Sequence, residues 1–177
     1  MISALLEDPT GGVWVGGVFT SLAGTWTPLA SPRIARLSTT CGATAATSSA
    51  GCAGSGGANV LTPLTLPWIG STFRARATGM PPTAFVLAVY GLAPLSIPFA
   101  SIHPAGLAGC NVLATNELVD VYFPSAGVVD TQLALADTPA IVGMTFYHYV
   151  VPIEVDAMLA ITAITSSNSL ACVVGAF

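Results

Sequence analysis

The chain has 177 residues, of which 53% are hydrophobic, and it carries four basic and eight acidic residues for a net charge of −4. All four basic residues are Arg, which excludes the positive surface needed to bind nucleic acid or anionic membranes. The mean hydropathy of +0.78 excludes intrinsic disorder. Because so few charges cannot cover a folded surface, we expect exposed apolar patches that contact other copies or the rest of a longer chain.

The first predicted unit is a short β-segment over residues 1–40, with strands at Val13–Thr20 and Arg33–Ser38. The opening MISALLEDPTGG has no basic region, so we expect any export signal to lie upstream or export to use another route. Residues 41–58 are almost entirely Gly, Ala, Ser, Thr and Cys. This composition predicts a linker between the β-segment and a main domain over 59–177.

Short runs of β-branched and aromatic residues, separated by Pro and Gly, continue through the main domain. This pattern predicts an all-β fold, an antiparallel β-sandwich of jelly-roll-like form. The predicted strands of the domain are Val60–Leu66, Ser71–Thr78, Ala84–Tyr90, Asn111–Ala114, Leu118–Phe123, Thr131–Ala136, Gly143–Ile153, Leu159–Thr165 and Leu170–Val174.

Two of these strands indicate which face is buried. In Ser71–Thr78, Phe73, Ala75 and Ala77 alternate with Arg74 and Arg76, so one face of the strand is predicted to be buried and the other solvated. The strand at 143–153 is apolar on both faces, which favours a central or covered position. Between these two, the apolar stretch at 83–100 is interrupted by prolines, so it predicts a strand and a Pro-rich loop rather than a membrane span.

Few residues of the chain could carry catalysis or bind a metal. His103 lies in a predicted loop, and His148 lies mid-strand between aromatic residues, where a core position is expected. Glu154 and Asp156 are read as turn residues rather than calcium ligands. Arg74 and Arg76 could bridge to Glu154 or Asp156 across strands, and such a bridge would fix the register rather than serve catalysis. Catalytic and metal-binding motifs do not occur, so we predict a protein that is not an enzyme and has no cofactor and no metal site.

Four cysteines, Cys41, Cys52, Cys110 and Cys172, are all disulfide candidates. Three pairings are possible, and the sequence does not choose between them. The Gly-, Ser- and Thr-rich setting of Cys41 and Cys52 favours an oxidised, extracellular loop staple. None of the spacings is typical of a zinc site.

The N-terminal segment resembles a single repeat of the delta-60 type β-propeller, in which a strand of the form WVGG-FT precedes IARL. Trp14–Thr20 and Ile34–Leu37 match these two elements. A single blade cannot bury both of its faces. The resemblance therefore implies that residues 1–40 contact another domain or a different subunit, or that the chain is the tail of a longer protein.

From Cys41 onward, the chain resembles a C-terminal domain of large secreted proteins from planctomycete-like bacteria, which implies an extracellular or cell-surface location. Cys172 stands where that family usually has Thr or an aliphatic residue. The segments that carry the resemblance are Gly51–Gly57, Leu66–Pro82, Ala108–Cys110, Pro139–Glu154 and Ser166–Phe177.

These observations favour a non-catalytic extracellular structural module that acts through apolar interfaces. Such a module could be a subunit of a self-associating fibre or of a surface layer. Open sheet edges could accept a strand from a neighbouring copy, with the N-terminal segment as donor. The alternative is a module that binds glycans or an envelope partner through its aromatic residues. The interface candidates are Trp14, Phe19, Trp26, Tyr147 and Tyr149.

Overall fold

The computed structural model describes residues 42–176 and, before them, the backbone of three strands. The chain divides into two compact units, one of residues 1–42 and one of residues 43–176. The second unit therefore begins within the segment predicted to be a linker. The three early strands are β1 (Ile2–Glu7), β2 (Gly12–Gly17) and β3 (Ile34–Ser38).

In the first unit the three strands form one antiparallel sheet in the order β1-β2-β3. The two strands predicted here, Val13–Thr20 and Arg33–Ser38, correspond to β2 and β3, and β1 was not predicted. The side chains of Trp14, Phe19 and Trp26, all named as interface candidates, lie outside the described residues.

The second unit is an antiparallel β-sandwich, as the sequence predicts. Over residues 43–176 it contains two short 3-10 turns, Phe99–Ser101 and Pro139–Ile141, and no α-helix. Its strands are β4 (Thr44–Ser49), β5 (Ala53–Gly54), β6 (Gly57–Ala58), β7 (Val60–Pro63), β8 (Thr72–Thr78), β9 (Ala84–Gly91), β10 (Pro94–Pro98), β11 (Asn111–Ala114), β12 (Leu118–Tyr122), β13 (Val128–Ala134), β14 (Thr145–Val155), β15 (Ile161–Ile164) and β16 (Ser169–Val173). Among the described residues, no helix is long and apolar enough to cross a membrane.

A six-stranded sheet faces a three-stranded sheet. The larger sheet has the order β12-β9-β14-β16-β4, with β15 also paired to β14, and the smaller has the order β13-β8-β7. Buried side chains from both sheets form the core between them. Phe73 of β8 meets Phe146 of β14 edge to face, with ring centroids 5.6 Å apart, an arrangement that aromatic pairs favour.

The outer face of the larger sheet is covered as well. The β10-β11 hairpin and its connecting loop pack Phe99 and Leu113 against Tyr149 and Val151 of β14. Both faces of β14 are therefore buried, which confirms the central and covered position expected from its apolar sequence. β10 itself was predicted to be a Pro-rich loop, and its prolines are tolerated because it pairs on one side only, with β11.

The alternation predicted for β8 is confirmed, since Phe73, Ala75 and Ala77 are fully buried while its two arginines are exposed. The expected partner of those arginines was wrong. Arg76 makes a bidentate ion pair with Asp130 of β13, at 2.7 Å for each N–O contact. The reason is topological: β13 pairs with β8, whereas Glu154 lies in β14 and Asp156 directly after it, and β14 belongs to the other sheet.

Residues 44–49, within the predicted linker 41–58, form β4, the edge strand paired with β16. The following β5-β6 hairpin belongs to the sandwich as well. Small residues serve close packing here: a Cβ added to Gly51 would lie 2.4 Å from the backbone nitrogen of Asn168. The Gly- and Ala-rich composition therefore reflects tight backbone approach rather than a flexible connection.

Candidate interaction edge

Strand β12 is the terminal strand of the larger sheet. It pairs with β9 on one side over five consecutive residues, in a regular antiparallel register without a bulge. Among residues 42–176, no strand pairs with its other side. An unpaired edge presents backbone N–H and C=O groups that can hydrogen-bond to another strand.

The register with β9 assigns each side chain of β12 to a face. Val119 and Val121 lie opposite Val89 and Leu87, which belong to the outer cluster, so they share the outer face. They are 40% and 57% exposed. Asp120 is the only charged residue of the strand, and it lies on the inner face. The edge lacks Lys, Pro and a bulge, which natural sheets often use to block edge pairing, and the inward-pointing Asp120 is the one such device in the strand.

Phe123 extends this apolar edge by one residue. Its side chain is 78% exposed. Pro124 follows it, and a residue before proline is restricted to extended conformations. Phe123 lies one residue past the end of β12, and extending the alternation of the strand by that one residue assigns it to the face of Val119 and Val121.

A groove of about 440 Å³ opens on that same face beside Val119. Its floor is the covered surface of β9 and β14, including Tyr149 and Val151, and its walls include Leu95 and Ile102. Leu95 is 37% exposed and Ile102 is 60% exposed, so apolar side chains reach the mouth of the groove. The groove and the open strand thus form one continuous apolar surface, which we call the β12 edge.

The inner face of the strand borders the gap between the two sheets. Asp120 and Tyr122 line an open cleft of about 500 Å³ with Thr72 of β8 and Gln132 of β13. The lining is mainly polar, in contrast to the outer groove. The two faces of β12 therefore offer different chemistry, with hydrogen-bonding groups on the inner side and aliphatic groups on the outer side.

His148, a predicted core residue, is completely buried in the sandwich. Its Nδ1 lies 3.0 Å from the Val89 carbonyl, which can only accept, so Nδ1 carries the proton. Nε2 then accepts from the Thr131 hydroxyl at 2.8 Å, and the Tyr90 ring stacks on the imidazole at 4.2 Å. Burial lowers the pKa of His148 to about 4, against the opposing effect of the hydrogen bond to Val89.

The acidic residues considered as calcium ligands have separate structural partners. Glu154 accepts hydrogen bonds from the backbone N–H and the hydroxyl of Ser55, at 3.0 and 2.6 Å. Asp156 accepts from the backbone N–H groups of Met158 and Ala160 and shapes the β14-β15 turn. Within the part of the chain that the structure describes, no three His, Cys, Asp or Glu side chains come together as a metal site would require.

The disulfide joins Cys52 to Cys110, with their Cα atoms 5.4 Å apart. It ties the segment after β4 to the loop that covers the larger sheet. The local composition favours a disulfide between Cys41 and Cys52, and that prediction is wrong because Cys52 pairs with Cys110. Cys41 lies outside the described residues. Cys172 is a buried free thiol, and burial raises its pKa to about 12.

The remaining interface candidates lie on the outer face of the larger sheet, beneath or beside the β10-β11 cover. Tyr149 is only 2% exposed, because the β10-β11 hairpin covers it, and Tyr147 is half-buried against the same cluster. Sequence reasoning missed Val119, Val121 and Phe123. The available signal was LVDVYFP, an alternating apolar strand with a single charge that ends before proline.

No family model, curated protein or solved structure matches the chain. The resemblances to a propeller repeat and to a planctomycete C-terminal domain therefore stay predictions.

Proposed function

We propose that this chain is a non-catalytic extracellular structural module that assembles through apolar contacts, with the β12 edge as its docking surface. The observation that carries the proposal is the open strand with Val119 and Val121 exposed and without Lys, Pro or a bulge. The low charge supports it, since with no Lys and only four Arg the chain has few groups with which to oppose association.

The Cys52–Cys110 disulfide is compatible with an extracellular location, where oxidising conditions preserve such bonds. It fastens the cover of the larger sheet, whose residues Leu95 and Ile102 form the wall of the groove. A glycan-binding platform, the alternative function, loses support because Tyr149 is buried under that cover.

Sedimentation measurements over a wide protein concentration range test the proposal. We expect concentration-dependent self-association that sulfate strengthens, because sulfate favours the burial of apolar surface. A chain that sediments as a monomer throughout would contradict the proposed assembly function.

A matched pair of variants locates the contact. Val121→Lys places a charge on the open strand and should abolish association, because a Lys on an edge opposes strand pairing. Met158→Lys makes the same change at a residue of the β14-β15 turn that is 89% exposed and outside β12, and it should leave association unchanged. Equal effects of the two substitutions would show that net charge, rather than the β12 edge, controls association.

A further inference from the structure

Resting on the proposed function, we infer that the partner at the β12 edge is a second copy of this chain. The two β12 strands pair antiparallel about a two-fold axis, with Val121 opposite Val121 of the other copy. Phe123 of each copy then lies against the mouth of the other copy's groove. The inference is carried by an exposed aromatic residue directly after an open strand and by an apolar groove that borders the same strand at Val119.

Several registers would keep the outer faces of the two β12 strands on the same side of the paired sheet. The charge of Asp120 selects this register among them. A register with Asp120 opposite Asp120 brings two carboxylates together, which destabilises a strand pair. Moving the axis to Val121 places Asp120 opposite Tyr122, whose phenol hydroxyl can donate to the carboxylate. Moving it further, to Tyr122, brings Pro124 opposite Asp120, and the Pro side chain has no group that can donate to the carboxylate.

The same register brings Phe123 opposite Val119 of the partner copy. Directly opposed side chains have Cβ atoms about 4.5–5.5 Å apart, within reach of an aromatic ring. Val119 lines the groove whose walls include Leu95 and Ile102. Phe123 does not line the groove of its own copy, so its ring is available to the groove of another copy.

Two-fold symmetry makes both contacts occur twice. An isologous interface requires a surface that complements itself, and the β12 edge carries both the aromatic side chain and the groove. A five-residue strand pair alone buries less than the roughly 1,200 Å² typical of specific interfaces. The two groove contacts add apolar burial, and they favour a second copy over an unrelated extended peptide that lacks the matching aromatic residue.

Disulfide trapping tests the register directly. In a Cys41→Ser background, Val121→Cys should form an intermolecular disulfide, because opposed Cα atoms about 4.5–5.5 Å apart suit that bond. Val119→Cys is the matched control: the two copies of residue 119 would be offset by four residues, roughly 13 Å along the strands. Mass spectrometry of the linked peptide should identify residue 121 and exclude the buried Cys172.

Phe123→Ala tests the groove contact without disturbing the fold, since the side chain is mostly exposed. Loss of one buried Phe is worth about tenfold in affinity, so loss of two per dimer should weaken dimerisation by about a hundredfold. Ile102→Glu at the groove wall should weaken it as well.

The outcomes separate this inference from the proposed function. Association of the unaltered chain without linkage through residue 121, or with linkage through residue 119, would overturn the two-fold register and leave assembly in place. An unchanged dimerisation constant for Phe123→Ala would overturn the groove contact. A chain that stays monomeric would overturn both the inference and the proposed function.

Discussion

Acidification from pH 7 to pH 5 should destabilise the sandwich by about 2 kcal/mol, because His148 is held neutral in the folded state. Its Nδ1 donates to Val89 and its Nε2 accepts from Thr131, so the hydrogen bonds suit the neutral ring. Protonation inside the sandwich would leave a charge away from water, and burial lowers its pKa to about 4 for this reason.

The sign and size follow from the two pKa values. The unfolded residue has a pKa near 6.5, so between about pH 6.5 and 4 the unfolded chain binds a proton that the folded chain does not. The stabilisation is complete above that window, falls as the pH decreases through it, and is lost below it. The full loss is about 3 kcal/mol, of which about 2 kcal/mol has occurred at pH 5.

Urea unfolding at several pH values measures this effect. The window above pH 5 is useful because carboxylates with ordinary pKa values near 4 are still largely ionised there. His148→Leu is the matched variant: it leaves the Val89 carbonyl and the Thr131 hydroxyl without their imidazole partner and should cost about 1–3 kcal/mol at pH 7. Its stability should then change little between pH 7 and pH 5.

Direct titration of the imidazole by NMR supplies a second readout that does not depend on the variant's folding. An ordinary His148 titration near pH 6.5 in the folded chain would refute the reasoning. Equal pH dependence of the unaltered chain and His148→Leu would refute it as well, because the lost stability would then arise from other groups.

Removing the disulfide by Cys52→Ala with Cys110→Ala should lower stability by about 4 kcal/mol, since the bond closes a loop across a sequence separation of 58. Denaturant unfolding of the oxidised chain and the double variant measures this loss, and coincident unfolding curves would contradict it. Cys172 should resist alkylation in the folded chain and react after unfolding, because burial hinders access and raises its pKa to about 12. Mass spectrometry after a timed iodoacetamide pulse follows the reaction, and rapid labelling without denaturant would show that the site opens.

The sequence predicted the strands in which a regular pattern of apolar and polar side chains continues over several residues. β8 alternates Phe73, Ala75 and Ala77 with polar residues, and this pattern established which face is buried. β14 is apolar on both faces, which required a covered position. Local composition failed at residues 44–49, because Thr, Ala and Ser are common both in linkers and in an exposed edge strand.

The candidate interaction edge needed more than a strand pattern. LVDVYFP predicts a strand at residues 118–123, but whether that strand is central or at an edge depends on which strands pair with it. The groove beside Val119 is built from segments far apart along the chain, including Leu95 and Val151. No local sequence property brings those residues together.

By itself, then, the amino-acid sequence determined the all-β class, the buried face of β8 and the scarcity of charge, because these depend on composition and on a two-residue period. The tertiary structure alone decided that Cys52 joins Cys110, that Arg76 pairs with Asp130 and that β12 ends its sheet. Each of these features depends on which residues or strands that are distant in the sequence come together. The packing of whole sheets decides this, and the neighbouring residues in the sequence do not.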